Sequence, residues 1–414
     1  MLTPKSPEGD LARVQTKSPS GDRTLLLIAY GFDITSPKTK VPSVILLILL
    51  GWLMRQVSMY WGISLPNLKP ILPILGTVGL ILIVLEGSLE LELNRSKIRL
   101  IDKSFWVALI PMLALAFGLS FVLQYVGYPS FKNNLTNVIP ICIISSAIAI
   151  PGARYLSAYD REFVIYESSL SDIIGILFFN FITFNASINL FSFGHFIKDL
   201  ALMIIISFGT TVALALLLKK IDHHVKFVPI ILLIILIYSI SKFYHLPSLV
   251  FILILGMFLG NLDELKSVQW ISRLNPDGLD REVAKLKELT AEMTFLIRTL
   301  FFLLFGYLLE TADILNEDTA LWAVAIVAGI YVIRSVQLKL SGIALHPLLY
   351  IAPRGLITIL LYLSIPVALQ IPIVSKSLII QVIILTAFIM MIGLMTMPKK
   401  PNEVEMLDEK ITQE

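Results

Sequence analysis

Val41-Pro-Ser-Val-Ile-Leu-Leu-Ile-Leu-Leu-Gly51 returns later in the chain as Leu246-Pro-Ser-Leu-Val-Phe-Ile-Leu-Ile-Leu-Gly256. In both copies a glycine follows the proline by nine positions, and everything between is apolar except one serine. Each copy sits in an apolar run of roughly 20 residues, the length that crosses a hydrocarbon core of about 30 Å at 1.5 Å per residue. The same spanning segment therefore occurs twice, and the rest of the chain follows from counting what lies between the copies.

Apolar residues make up 56% of the chain and charged residues 15%, against about 25% charged in a soluble domain. A soluble fold is excluded. The runs predict thirteen spans, at 24–33, 41–63, 68–90, 104–126, 135–152, 163–185, 197–218, 226–241, 245–261, 291–312, 318–338, 347–369 and 376–397. The first is either truncated or does not span, because Thr24–Tyr30 is too short to cross. Residues 1–23 are polar and form no secretory signal. The lone Cys142 rules out an intramolecular disulfide or a thiolate cluster. No basic run points to nucleic acid.

Loop charge alternates as membrane topology requires. Connections on one side carry Lys38 and Lys40, Arg95 to Lys103, Arg154 and Arg161, Lys219 to Lys226, Lys266 to Lys287, and Arg334 with Lys339. The opposite connections carry only Lys69, Lys132, Lys198, Lys242 and Lys376. The basic side holds the C-terminal tail, which is therefore expected in the cytoplasm of a cell with the chain in its plasma membrane. The N-terminal tail, with Lys5, Arg13, Lys17 and Arg23, would face outside and breaks the rule.

The repeated segments are the second and ninth spans. An odd offset of seven sets them in opposite orientations. The expected division is a tail at 1–23, a first repeat with linker helix at 24–220, a second repeat at 226–397 and a tail at 398–414. The second repeat includes a cytoplasmic amphipathic segment at 263–290. The fold class is thus an all-α polytopic membrane protein of two inverted-topology repeats, an architecture typical of secondary transporters. The repeat pairs the fifth span with the twelfth. Pro151-Gly152-Ala153-Arg154 and Ala352-Pro353-Arg354-Gly355 place proline, a small residue and arginine together in each. Proline frees a carbonyl and glycine loosens a helix, so both spans are expected to be broken, at Pro151 and Gly152 and at Pro353 and Gly355, and to cross at mid-membrane.

A charge at mid-membrane costs at least about 2.5–3.5 kcal/mol and needs a partner or a task. Glu86, Glu167, Asp172, Arg298 and Arg354 are the candidates. In Tyr166-Glu-Ser-Ser-Leu-Ser-Asp-Ile-Ile-Gly175, Ser168, Ser171 and Asp172 share a stripe at 100° per residue. Asp172 lies about 13 Å into its helix with no basic neighbour on it. Hydroxyl and carboxylate oxygens suit a hard cation, so Asp172, Ser171 and Ser168 are the expected ion ligands. Burial disfavours a bare charge, so this carboxylate would hold either a proton or a metal cation, and that competition couples their exchange. Glu167 points away from Asp172 and is expected to form a structural ion pair with Arg354. Glu86 and Arg298 are accessory charges, each able to snorkel or pair.

These residues resemble the monovalent cation/proton antiporter superfamily, especially its sodium/proton exchanger branch. The likeness covers about residues 40–397. It rests on Pro42-Ser43 to Gly51, Leu85-Glu-Gly-Ser-Leu-Glu-Leu91, Glu167-Ser-Ser-Leu-Ser-Asp172, Phe301-Phe-Leu-Leu-Phe-Gly306 and Pro353-Arg-Gly-Leu356. The resemblance implies a dimerisation domain and a six-helix core with crossed broken helices. It also implies an elevator motion and a homodimer in lipid that exchanges Na⁺, or Li⁺ or K⁺, for H⁺ without a cofactor. It assigns Asp172 to ion binding and Glu167 with Arg354 to a stabilising pair. Two departures stand out. Ser171-Asp172 replaces the family's Asn-Asp or Asp-Asp, and Ser145-Ser-Ala-Ile-Ala-Ile-Pro151 lacks its Thr-Asp-Pro aspartate. A transporter of a small organic substrate, or a channel or sensor built on the same fold, are the rival readings. An enzyme is not expected, since no zinc motif such as H-E-x-x-H occurs.

Overall fold

The structure, a computed structural model, describes residues 42–62, 68, 70–91, 95–185, 190–220, 227–244, 248–262 and 276–397. The expected first span at 24–33, both tails, and residues 263–275 of the amphipathic segment lie outside the described residues. Helices α1 to α5 are Ser43–Tyr60, Ile71–Glu90, Ile98–Val126, Phe131–Cys142 and Ser146–Gly152. Helices α6 to α10 are Ala158–Phe184, Leu190–Lys220, Phe227–Phe243, Ser248–Gly260 and Pro276–Tyr307. Helices α11 to α14 are Thr311–Ile314, Glu317–Leu340, Leu356–Leu363 and Lys376–Met395. Among the described residues there is no strand, and nine helical stretches are long and apolar enough to cross a membrane. With the shorter apolar helices α8 and α9 and the interrupted α13, the second to thirteenth expected spans are all present in order. The largest boundary difference is at the tenth span. The amphipathic residues 276–290 do not form a separate interfacial helix but run unbroken into the following span as α10.

Helix ends follow local chemistry. Ser130, Ser157, Asn316 and Ser375 each take a backbone N–H from the first turn of α4, α6, α12 and α14, which satisfies one orphan donor per helix. Gly127 ends α3 in the left-handed region at φ 115°, where a side chain would be strained.

The repeat shows in the packing. α1 lies along α10, and α9 lies along α2, so the second span of each repeat rests on the third span of the other. A methyl group on Gly51 would run into the Leu303 carbonyl oxygen, and one on Gly256 into the Ser88 hydroxyl. The glycine that marks both copies is thus the point of closest helix approach, the use of small residues expected where helices pack in lipid.

Two groups of helices result. α1, α2 and α7 to α10 pack mainly with one another, as do α3 to α6 with α12 to α14. The second group contains both interrupted helices.

Candidate functional site

The first interruption is at Ile143–Ser145, between α4 and α5. Ile143 and Ser145 are extended, with ψ of 130° and 112°. Pro140 lacks a donor inside α4 and is followed by Ile141, Ile143 and Ile144, whose β-branched side chains disfavour helix. The second interruption runs from Ile351 to Gly355, between a 3₁₀ turn at Leu348–Tyr350 and α13. The two extended strips cross and touch. Ser145 N–H donates to the Pro353 carbonyl at 2.9 Å. A Cβ on Gly355 would sit 2.8 Å from Ser145 Oγ, so only glycine permits this approach.

Pro353 and Gly355 therefore lie in a break as expected, but Pro151 and Gly152 do not. They occupy the end of α5, six positions or more beyond the actual break. Pro151 still leaves a mark. Its missing N–H frees the carbonyl of Ala147, four residues back, and Arg298 Nη1 donates to that oxygen at 3.4 Å. Arg298 also stands within electrostatic reach of half-buried Glu86. Arg298 thus links the α5 half-helix to the electrostatic surroundings of Glu86.

Free backbone donors in the breaks are met by the flanking helices, as buried amides must be. From α6, Ser171 Oγ accepts from Ile144 N–H at 3.0 Å. Asp172 Oδ2 accepts from Ser146 N–H at 3.4 Å and from the Ser146 hydroxyl. From α14, Thr386 Oγ1 accepts from Arg354 N–H at 3.1 Å. Asp172 is only 1% exposed, and its Oδ1, like the buried Ser145 Oγ, has no protein hydrogen-bond partner among the described residues. Ser168 turns away. Its hydroxyl donates to Val164 O at 2.7 Å along its own helix.

The expected Glu167–Arg354 pair is not formed. Glu167 is held by Arg334 of α12 through both guanidinium nitrogens, one at 3.0 Å. Arg334 also donates from Nε and Nη2 to Leu348 O, at 3.0 and 2.8 Å, and so ties α6, α12 and the second break together. By sequence Arg334 counts as a loop charge because it lies near a helix end. Its signal in the sequence is its place on the buried stripe of Ala323, Val327, Ile330 and Leu338, at helical spacing. Arg354 has a different task. Its Nε reaches Ile141 O at 2.6 Å and its Nη1 reaches Ala352 O at 2.8 Å. A positive group thus meets the carbonyl end of α4, where the helix dipole is negative, and a carbonyl of the second break. Sequence reading also missed Ser146, though it lies in the quoted Ser145-Ser146 dipeptide, because its partner is on another helix.

The crossing thus gathers one buried carboxylate, hydroxyl oxygens and the amino end of a half-helix. Inverted repeats that meet at broken helices define the class of secondary transporters. The chain belongs to the sodium/hydrogen exchanger family, whose transmembrane family model matches residues 24–398. It is similar in fold to the sodium proton antiporter MjNhaP1 from Methanocaldococcus jannaschii solved at pH 8, with a TM-score of 0.66 at 17% identity over 91% of this chain and 97% of that one. An electron-microscopy structure of the same antiporter gives 0.67 at 16% identity, over 92% and 98% of the two chains. Comparison with curated proteins by sequence gives no match.

Proposed function

We propose that this chain exchanges a monovalent cation for protons across the membrane, with Na⁺ the foremost candidate and Li⁺ or K⁺ as alternatives, and that cation and proton compete for Asp172. Membership of the sodium/hydrogen exchanger family supports the exchange. The observation that carries the site is Asp172 itself: a fully enclosed carboxylate with one oxygen held by Ser146 and the other without a protein partner among the described residues. A buried charge in that state is costly, and a proton or a cation on the second oxygen relieves the cost. Ser146, and Ser145 with its unpartnered hydroxyl, join Asp172 as ligands. Ser171 serves the break's backbone, and Ser168 drops out.

The group α3 to α6 with α12 to α14 acts as the moving core in an alternating-access cycle of the elevator type, against a scaffold of α1, α2 and α7 to α10. The Glu167–Arg334 pair and Arg354 hold the core together as it moves. The alternation of loop charge supports a plasma-membrane setting with a cytoplasmic C-terminus, and the family resemblance supports a homodimer.

Cation-induced dissipation of ΔpH in proteoliposomes tests this reading. Wild type should release protons on addition of the transported cation, with apparent affinity falling as pH falls, and Asp172→Asn should give none. Equal signals from both proteins would remove Asp172 from the mechanism. No signal with Na⁺, Li⁺ or K⁺, from protein shown to be folded, would overturn cation/proton exchange.

A further inference from the structure

Two clefts separate the helix groups described above, and the inverted repeat relates them. One is lined by α2, α6, α8, α9 and α13, with a volume of 210 Å³ and polar groups from Thr77, Asn180, Thr183, Tyr238, Lys242 and Ser248. Its counterpart is bounded by α1, α5, α11, α14 and Leu309 just after α10, and its volume is 420 Å³. Val44, Ile48, Trp52, Ile148, Ile383 and Ala387 line it, and Thr311 supplies its one hydroxyl. That hydroxyl accepts from Trp52 Nε1 at 3.2 Å. The second cleft therefore has twice the volume of the first and far less polarity.

We infer that this apolar groove is a phospholipid site that takes one acyl chain between the two helix groups. Three observations commit it to lipid. Its walls are membrane-spanning helices, so the medium at its mouth is hydrocarbon. Water gains no partners against such walls. Leu49 and Leu315, at 47% and 71% exposure, line the groove and open it to the side. Beside Trp52 and Thr311, at the Tyr60 end of α1, stand two partly exposed ion pairs: Arg55 with Glu310 at 3.4 Å and Lys376 with Asp313 at 2.6 Å. Two cations beside two carboxylates complement the phosphate and ammonium of a zwitterionic headgroup. The chain would press on α1 on one side and on α5, α11 and α14 on the other, so it lies where any sliding of one group past the other must displace it.

The test reads lipid contact rather than transport, so it stands or falls apart from the exchange reading. A Trp52-only protein (Trp61, Trp106, Trp270 and Trp322 replaced by Phe) is reconstituted in phosphatidylcholine with brominated acyl chains. A Trp106-only protein reports ordinary contact with surrounding lipid, since Trp106 is 46% exposed on α3 and away from the groove. Trp52 emission should be lost to bromine quenching. Ala387→Phe, which fills the groove, should restore it while leaving Trp106 quenching unchanged, and Ile384→Phe serves if Ala387→Phe fails to fold by size-exclusion elution. An unquenched Trp52 beside a quenched Trp106 would mean that protein, either residues 24–41 or a second copy, covers the groove, and would overturn the proposal. Quenching that neither filling variant relieves would reduce it to general lipid contact and overturn it as well.

Discussion

The break at Ile143–Ser145 and the break at Ile351–Gly355 share a backbone and differ in charge. In each, a helix of the core hands a side-chain oxygen to a stranded amide: Asp172 of α6 to Ser146, and Thr386 of α14 to Arg354. In the first, that oxygen belongs to an acid with a second oxygen unmet by protein among the described residues. In the second it belongs to a hydroxyl that also donates to Val382 O at 2.8 Å and is fully satisfied. The second break carries a guanidinium instead, occupied by Ile141 and Ala352 carbonyls. One repeat has kept a reactive group and the other has become its counterweight. A symmetric frame does not require symmetric chemistry, and the difference is what directs the proposed ion site to the first break.

The sharpest way to break this comparison is to mutate both oxygens. Asp172→Asn should abolish cation-driven proton release in proteoliposomes. Thr386→Val should retain exchange and lower stability by about 1–3 kcal/mol, the cost of leaving a buried amide unmet. Loss of exchange in both would make the two breaks equivalent and end the asymmetry. Next in size is the Arg334 anchor. Glu167→Gln strands a buried guanidinium and should cost about 3–5 kcal/mol in unfolding free energy, read by denaturant titration in detergent. A Glu167→Gln, Arg334→Gln double variant should lose much less than the sum of the singles, whereas Glu167→Gln with Arg354→Gln should be close to additive; the Glu167–Arg354 pair that sequence suggested makes the opposite forecast. Smaller again is the ligand shell. Ser146→Ala removes a hydrogen bond to a charged group worth about 1.5–3 kcal/mol, so the cation concentration for half-maximal exchange should rise about tenfold or more. Ser168→Ala should change that concentration less than about threefold, within the ±0.5 kcal/mol of a substitution away from the site. A large effect there would return Ser168 to the cation.

Much of this was legible without coordinates. The Pro-Ser to Gly repeat fixed the inverted arrangement, and its two glycines turned out to be the contact points between repeats. Asp172 was identified because a charge among apolar neighbours needs a reason, and that argument uses only its own helix. Errors arose where the argument needed a second helix. Pro151 looked like a break because proline frees a carbonyl, but Arg298 supplies a donor to that carbonyl and α5 continues through it. Arg354 looked like the partner of Glu167 because both were expected at similar depth, while Arg334 was hidden as a loop charge.

Spanning length, loop charge and repeat spacing are local or periodic properties, and the sequence by itself determined from them the helix order, the inverted repeat and the acid proposed to bind the ion. Which guanidinium meets which carboxylate, where the fifth span opens, and that Ser146 rather than Ser168 touches Asp172 were decided only by the tertiary structure. Those choices turn on donor–acceptor distances of about 3 Å between helices that are far apart in the chain, and helical periodicity gives the face of a residue but not the neighbour it meets.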